Sequence, residues 1–344
     1  MRSHATCMID PKHISVVVQG AVVGKPGDAN EARLTLRCLE SIRVHLPGAE
    51  IILSTWKGSD VRGLPFDTLV ESDDPGALSF AELPKIANNV NRQIVSTKKG
   101  LREVTRGYTL KMRTDMVLHN RDLLQFYDRF RARSGWSILR NKVVASTIYS
   151  RVPGHVWQWP YHPGDWFFFG LREDVLNIWD IPEAPEPETT LWFAGRPRPS
   201  NDVNPQSVNR YAPEQYIWLT FLRKHMSVRC DYQWDLDRET IEGTEKSFAS
   251  NLVLVSPKQA GLSFEKYPTF TGVSTWLYGP GSCYDHRHWR HLYEKHCECK
   301  HSVFGWHAAL RLASVRSGVA AFQKLSALRA RTHAAPAAKS SAPV

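Results

Sequence analysis

The sequence lacks long hydrophobic runs and is poor in cysteine. No stretch of the 344 residues approaches the about 18 consecutive apolar residues that a membrane-spanning helix needs. The first residues also lack the apolar core of a secretory signal peptide. Six cysteines in a chain of this length do not make the dense disulfide framework of small secreted domains. These absences argue against an integral membrane protein and a disulfide-stapled domain, and we expect a cytoplasmic location.

The sequence also lacks the common nucleotide-binding loops. There is no G-x-G-x-x-G after the first apolar run and no G-x-x-x-x-G-K-[ST] anywhere, so a dinucleotide enzyme and a P-loop NTPase lose most of their support. A sugar nucleotidyltransferase is weakened in the same way. Basic residues form no stripe interleaved with aromatics, which argues against a nucleic-acid partner. Nucleotide binding by other means stays open.

Acidic residues are missing from residue 300 onward. This segment contributes seven of the ten net positive charges, so the rest of the chain is nearly neutral. Apolar residues recur at helical spacing across 303–331, with basic residues between them. Two compatible interpretations are that this helix docks on the domain and that it lies on the anionic surface of the inner membrane. The last residues, 332–344, are predicted to be disordered.

What the sequence does contain is a regular alternation of strand and helix patterns. Short runs rich in β-branched residues alternate with segments of helical periodicity. The predicted strands cover 14–20, 49–56, 66–71 and 108–116, and the predicted helices cover 31–45 and 84–99. This order is typical of an α/β fold with a doubly wound, mostly parallel central sheet flanked by helices.

The last predicted strand, 108–116, carries three charged residues on one face. Side chains alternate along a strand, so Lys111, Arg113 and Asp115 point away from Leu110 and Met112. Burying these charges is costly unless they are paired or contact a ligand. Since an open α/β sheet binds its ligand at the carboxyl ends of its strands, the run predicts a ligand site. A solvated edge strand is the alternative.

Polar residues at the other predicted strand ends belong to the same edge. They are Gln19, Gly20, Ser54, Ser72 and Asp73. A turn or cap role is the alternative for each one, but their agreement in position predicts one crevice.

On helix 84–99, Arg92 shares a face with Asn88 and Ser96. Arg92 could turn inward to meet a diphosphate, whose oxygens match the guanidinium fork; the alternative is the solvent side of the helix.

Long phrases in a fixed order resemble the WavE family of glycosyltransferases in lipopolysaccharide core synthesis. They are VVVQGAV, PGAEIILSTWKG, NNVNRQIVSTKKGL and LKMRTD, with HPGDWFFFG and APEQYIW in the second half. The resemblance implies a Rossmann-like, A-type glycosyltransferase fold. On that plan, residues 12–120 bind a nucleotide-sugar donor, 121–285 form the acceptor and catalytic half of the same domain, and 286–331 form a basic helical extension.

The chain departs from this family pattern at the position of its Asp-x-Asp motif, which here reads Arg113-Thr114-Asp115. The carboxylate pair of that motif holds Mg²⁺ or Mn²⁺ against the donor's diphosphate, and the metal offsets charge on the leaving group. Two alternatives stay open. Either Asp115 still holds a metal with help from the diphosphate, or Arg113 with Lys111 and Arg92 replaces the metal as an electrophilic clamp. The first is slightly favoured, because Asp115 has no other evident task.

Asp165 lies at the start of an aromatic run in the second half of the chain. It is predicted to orient a sugar hydroxyl, while Trp157, Trp159 and Trp166 stack on apolar sugar faces. The alternative is that the rings belong to the core and Asp165 is a turn residue.

Glu214 is the second candidate catalytic carboxylate. It follows Pro213, which suits the first turn of a helix. The positive end of that helix would keep Glu214 ionised, as a base toward an attacking hydroxyl requires. The alternative is a helix-start glutamate without a catalytic role.

The sequence therefore predicts a glycosyltransferase that moves a sugar from a nucleotide-sugar donor to a lipopolysaccharide core or related cell-surface glycan. Its partners would be the donor, a lipid-linked saccharide acceptor and, as a peripheral contact, the cytoplasmic face of the inner membrane. The alternative is a non-catalytic glycan-binding or scaffold protein on a glycosyltransferase-like fold, which the arginine at position 113 favours.

Overall fold

A computed structural model describes residues 9–23, 34–79, 87–153, 159–200, 208–264, 276–277 and 279–333 of the chain. Within these ranges, runs rich in β-branched and aromatic residues form most of the strands. In chain order the strands are β1 (Ile14–Gln19), β2 (Glu50–Trp56), β3 (Thr68–Ser72), β4 (Leu78–Ser79), β5 (Ala87–Asn88), β6 (Tyr108–Arg113), β7 (Met116–Leu118), β8 (Val143–Ser146), β9 (Gly164–Leu171), β10 (Leu252–Val255) and β11 (Leu262–Phe264).

Seven of these strands form one sheet in the order β10-β8-β9-β6-β1-β2-β3. The neighbours pair in parallel, except that β9 runs antiparallel to both β6 and β8. All six residues of β1 are buried, as expected for a central strand covered on both faces. The sheet confirms the predicted α/β fold with a mostly parallel, Rossmann-like centre.

Helices flank this sheet. They are α1 (Leu34–His45), α2 (Val90–Arg102), α3 (Arg172–Trp179), α4 (Pro213–Arg223), α5 (Arg238–Asn251), α6 (Pro257–Ala260), α7 (His286–His296) and α8 (Gly305–His333), with 3-10 turns at Pro11–His13, Asp122–Phe126 and Pro280–Ser282. The architecture is consistent with the glycosyltransferase fold that the sequence resemblance implies.

Two predicted boundaries differ from the structure. The predicted strand 108–116 is too long, because β6 ends at Arg113 and a turn at Thr114 and Asp115 separates it from β7. The predicted helix 84–99 begins only at Val90, since the short strand β5 comes directly before it. Its first predicted residues, 84–86, lie outside the described residues, as do 31–33 of the predicted helix 31–45.

Helix α2 packs closely on β1 and β2 at a glycine. A Cβ atom on Gly100 would lie 2.6 Å from Cγ1 of Val17 and 2.9 Å from Cβ of Ser54. We therefore expect Gly100→Ala to lower the free energy of unfolding by about 1–3 kcal/mol through overpacking, measured by urea denaturation. The control is Gly107→Ala, because no atom lies within 4 Å of a Cβ built there. Equal losses in the two variants would contradict close packing at Gly100.

The strand directions gather the ends of several strands at one edge of the sheet. Strands β1, β2, β3 and β6 are parallel, so their carboxyl ends lie along this edge, where α/β sheets bind ligands. Strand β9 runs the opposite way and starts at the same edge, since Met112 of β6 pairs with Phe167. Arg113 and Asp165, more than fifty positions apart in the sequence, are thereby brought close to each other.

Helix α8 docks on the domain through one side of its middle turns. Val315 and Val319 pack with Leu277 and the partly buried Phe322. Arg311 donates hydrogen bonds of 2.8 Å to the carbonyl oxygens of both Cys283 and Pro280. None of the described helices is long and apolar enough to cross a membrane. Residues 332 and 333, predicted to be disordered, still belong to α8, and 334–344 lie outside the described residues.

Candidate active site at the carboxyl edge of the sheet

The floor of this edge is a hydrogen-bonded junction between β1, β2 and helix α2. The side-chain oxygen of Gln19 accepts a hydrogen bond of 2.7 Å from the Ser96 hydroxyl, and the Ser54 hydroxyl donates one of 2.6 Å to the Ser96 carbonyl. The amide of Gly20, whose φ is +120°, donates to the Ser54 carbonyl at 3.0 Å. The structure thus brings these three predicted residues together, with Gln19 and Ser54 buried.

The outer part of the edge is held by ion pairs. Arg92 binds Asp74 in a fork, at 2.7 Å from Nε to Oδ1 and 2.6 Å from Nη2 to Oδ2. The hydrogen bond from Arg92 lowers the pKa of Asp74 below its usual value. Asp73 is exposed and pairs with Lys57 at 2.9 Å, while the buried Ser72 hydroxyl has no hydrogen-bond partner among the described residues. Arg92 therefore faces a carboxylate at the edge, a partner that the sequence analysis did not identify.

Arg113 and Asp115 form a second forked pair at the end of β6. The distances are 2.9 Å from Arg113 Nε to Asp115 Oδ1 and 2.7 Å from Nη2 to Oδ2. The turn between them is closed by Thr114, whose hydroxyl donates to the Ala21 carbonyl at 2.7 Å. Asp115 is buried, and the Arg113 guanidinium lies 5.2 Å from the centre of the Trp166 ring. Asp115 thus has a partner, which removes the reason for favouring a retained metal.

The residues at this position do not fit a divalent-cation site. Both carboxylate oxygens of Asp115 are occupied by Arg113. Mg²⁺ and Mn²⁺ prefer several oxygen ligands, carboxylates above all. Across the described part of the chain, no group of three or more His, Cys, Asp or Glu side chains could hold a metal ion.

Lys111 and Asp165 form a buried pair beneath Arg113. The Lys111 ammonium is fully buried, donates a hydrogen bond to the Asp165 carbonyl oxygen and lies 3.6 Å from its carboxylate. Burial lowers the pKa of Lys111 to about 8, with the charge of Asp165 opposing the shift. Burial raises the pKa of Asp165, whose carboxylate oxygens accept no hydrogen bond from the described residues. Lys111 therefore lies below the edge and not on its surface.

Glu214 is paired with a histidine that the sequence analysis missed. Helix α4 starts at Pro213, so Glu214 lies in its first turn as predicted. Its Oε2 is 3.2 Å from Nε2 of His162, whose Nδ1 is 2.8 Å from the carbonyl oxygen of Tyr149. Both ring nitrogens of His162 therefore face hydrogen-bond acceptors, a carboxylate and a carbonyl.

This pairing keeps Glu214 ionised. Burial would raise the pKa of Glu214, but the charge of His162 and its hydrogen bond lower it by more, and the nearby Arg151 guanidinium adds to this. The charge of Glu214 in turn contributes to the raised pKa of Asp165. Two carboxyl groups in one electrostatic neighbourhood thus have pKa values shifted in opposite directions.

Aromatic side chains surround these charges. Trp159 stacks on the His162 ring at 5.0 Å between centroids, and Tyr149 stacks on Trp166 at 5.8 Å. Trp157, the third predicted sugar platform, lies outside the described residues. Tyr149 has a φ of +62°, a strained conformation for a bulky residue and one that is concentrated at functional sites. Its carbonyl is the acceptor that fixes His162.

Arg151 is a further buried residue that the sequence analysis missed. Its Nη1 donates to the Ser282 hydroxyl at 2.6 Å, and its guanidinium lies 4.8 Å from the centre of the Tyr149 ring. The only sequence signal for the missed residues was the phrase HPGD, in which His162 stands three positions before Asp165. Arg151 and Tyr149 have no such signal, because their neighbours come from distant segments.

A family model described as WavE lipopolysaccharide synthesis matches residues 14–317, which is most of the chain. No curated protein matches the chain.

Proposed function

Because this chain belongs to the WavE family of lipopolysaccharide synthesis, we propose that it is a glycosyltransferase. It moves a sugar from a nucleotide-sugar donor to a lipopolysaccharide core or a related cell-surface glycan. The observation that carries this proposal is the 3.2 Å pairing of Glu214 with His162, which lowers the pKa of Glu214, at the ligand-binding edge of a glycosyltransferase-like sheet.

The acceptor side of the reaction rests on Glu214. A carboxylate that stays ionised can take the proton of an attacking hydroxyl, and its 16 % exposed side chain can reach a substrate. His162 acts as a positioning residue, since its ring holds the carboxylate and is itself fixed by the Tyr149 carbonyl. Asp165, whose carboxylate oxygens accept no hydrogen bond from the described residues, orients a sugar hydroxyl. This use of Glu214 as a base belongs to a transfer that inverts the anomeric centre.

The donor side lies along the ends of β1, β2, β3 and β6. The Gln19 and Ser54 junction forms its floor, and the guanidinium groups of Arg92 and Arg113 lie at its surface, where a diphosphate can compete with Asp74 and Asp115 for them. Aromatic rings beside Asp165, among them Trp166, supply apolar faces for a sugar.

A binding and hydrolysis assay tests the proposal. Purified protein is titrated with a panel of nucleotide-sugars by calorimetry, with and without Mn²⁺, and each mixture is then assayed for release of the nucleoside diphosphate. We expect tight binding and slow hydrolysis for one donor. Binding of none of them would contradict an enzyme and would favour the non-catalytic glycan-binding or scaffold protein.

We also propose that α8 places the enzyme on an anionic membrane surface beside its lipid-linked acceptor. Trp306, Leu310 and Leu328 are between 57 % and 67 % exposed, and their spacing puts them on the side of α8 opposite the docked Val315 and Val319. Leu325, which is 58 % exposed, lies at the flank of this side. Exposed basic residues accompany them, and no acidic residue follows position 300. Such a face combines apolar area with attraction to anionic lipids.

The location of α8 links this surface to the candidate active site. Arg311 of α8 binds the carbonyl of Pro280, and Ser282 in the same 3-10 turn binds Arg151. The positive charge of Arg151 contributes to the lowered pKa of Glu214. Because α8 is anchored to this turn, membrane binding through α8 would bring a lipid-linked acceptor close to Glu214, the proposed base.

Vesicle sedimentation measures this contact. We expect the protein to bind vesicles that contain phosphatidylglycerol and not vesicles of phosphatidylcholine. The variant Leu310→Ser/Leu328→Ser should bind about tenfold more weakly, because it removes two exposed apolar side chains that membrane binding would bury. Val44→Ser is the control, since Val44 is 69 % exposed on helix α1. Equal binding of the double variant and the control would contradict the proposed surface.

A further inference from the structure

We infer that this chain binds the diphosphate of its donor through Arg113, without a divalent cation. The inference rests on the proposed function and names the group that the donor site recognises. Arg113 and Asp115 lie where the resembled fold places a carboxylate pair for a metal, and in this chain the first of the two positions carries a guanidinium.

The fork between Arg113 and Asp115 leaves little room for a cation. Both oxygens of the carboxylate accept charge-assisted hydrogen bonds, of 2.9 and 2.7 Å. A divalent ion on Asp115 would have to displace both bonds and would then lie beside a positive guanidinium. Asp165, on the neighbouring strand β9, is buried against the Lys111 ammonium. A cation therefore meets repulsion from both Arg113 and Lys111.

The same surroundings attract an anion. The Arg113 side chain is 24 % exposed, whereas the side chain of its partner Asp115 is only 5 % exposed, so the guanidinium lies between the carboxylate and the solvent. Its planar fork matches two oxygens of a diphosphate. The centre of the Trp166 ring lies 5.2 Å from the guanidinium carbon of Arg113, so the ring fixes the plane of the guanidinium from one side. Asp115 is then a positioning residue that keeps the guanidinium aimed at the edge of the sheet.

This arrangement supplies the electrostatic stabilisation that a metal would otherwise give. In the transfer, the bond between the anomeric carbon and the diphosphate oxygen breaks, and its electron pair stays on that oxygen. The acceptor oxygen forms the new bond to the anomeric carbon, and its proton passes to Glu214. Arg113 offsets the charge that develops on the departing diphosphate.

Calorimetry with nucleoside diphosphates tests the inference without any need for turnover. UDP, GDP, ADP and CDP are titrated into the full chain, once in EDTA and once in Mn²⁺. We expect at least one to bind, with the same dissociation constant in both buffers. Binding that disappears in EDTA and returns in Mn²⁺ would overturn this inference alone. Binding of none in either buffer would overturn the proposed function as well.

The variant Arg113→Asp gives a converse test, because it returns a carboxylate to the position two residues before Asp115. We expect its diphosphate binding to fall by about tenfold to a hundredfold in EDTA, as for loss of a charge-assisted contact, and to recover in Mn²⁺. The control is Arg238→Asp, the same charge change at a side chain that is 92 % exposed on helix α5. Equal binding by Arg113→Asp and the control in EDTA would overturn the inference.

A second variant covers the case in which Arg113→Asp does not fold. Arg113→Gln keeps the length and polarity of the side chain but removes its charge. It should bind diphosphate weakly in both buffers, with no recovery in Mn²⁺, while thermal melting shows a folded protein. Wild-type affinity in this variant would contradict a role for the Arg113 charge.

Discussion

Glu214→Gln should lower the rate of sugar transfer by about a hundredfold to ten-thousandfold, the range for loss of a general base. The amide keeps the shape of the carboxylate but cannot take the proton of the acceptor hydroxyl. Donor affinity should stay near that of the wild type, because the donor lies along the ends of β1, β2, β3 and β6. Steady-state rates measured beside calorimetric titration of the donor separate the two effects.

Glu239→Gln is the matched control for this experiment. Glu239 lies in the first turn of α5 and is exposed, so it shares with Glu214 a helix start but not the buried pair with a histidine. The Glu239→Gln variant should transfer sugar at the same rate as the wild type. If Glu214→Gln also keeps the wild-type rate, the assignment of the base is wrong.

Lys111→Met should lower the free energy of unfolding by about 3–5 kcal/mol, the cost of removing one partner of a buried ion pair. The carboxylate of Asp165 then has no counter-charge and accepts no hydrogen bond from the described residues. Asp165→Val should cost a similar amount, since it leaves the Lys111 ammonium buried. The double variant should recover most of the loss, because replacing a buried pair by apolar groups is often neutral or stabilising. Urea denaturation of all four proteins forms a double-mutant cycle, and additive losses would contradict the pairing.

The pH dependence of stability gives an independent check on Lys111. Its pKa is about 8 in the folded protein and 10.5 in the reference state, so the unfolded chain binds more protons between these values. Stability rises with pH wherever the unfolded state holds more protons. The wild type should therefore gain stability relative to Lys111→Met between pH 8 and pH 10.5, and a constant difference would contradict the lowered pKa.

Much of the fold follows from local patterns. The β-branched run of β1 and the alternation of strands with helices predicted the parallel sheet. The spacing of apolar residues in each segment shows which side chains are buried, and therefore whether the segment forms a strand or a helix. Gln19 and Ser54 were placed at the carboxyl edge of the sheet for the same reason. The turn that ends β6 was missed, since Thr114 and Asp115 continue the alternating pattern although the Thr114 hydroxyl already binds the Ala21 carbonyl.

The pairings of the candidate site could not be predicted in this way. Arg92 is 18 positions from Asp74 and Lys111 is 54 from Asp165, so their contacts depend on loop paths and strand register. The resemblance drew attention to the phrase containing His162, but only the start of α4 beside it shows that the ring meets Glu214. The sequence shows which charged and polar side chains lie near the site, whereas the partner that each of them contacts depends on the tertiary structure.

The reversed strand β9 has a consequence for how the chain folds. It fills the gap between β6 and β8, with Lys111 opposite Phe168, and the largest hydrophobic cluster runs from Ile14 to Tyr293. A nascent chain that has reached only residue 120 therefore presents β6 as an unpaired edge with an uncovered lysine, an aggregation hazard that ends when β9 inserts. The proposed donor half and acceptor half are thus not separate units of folding.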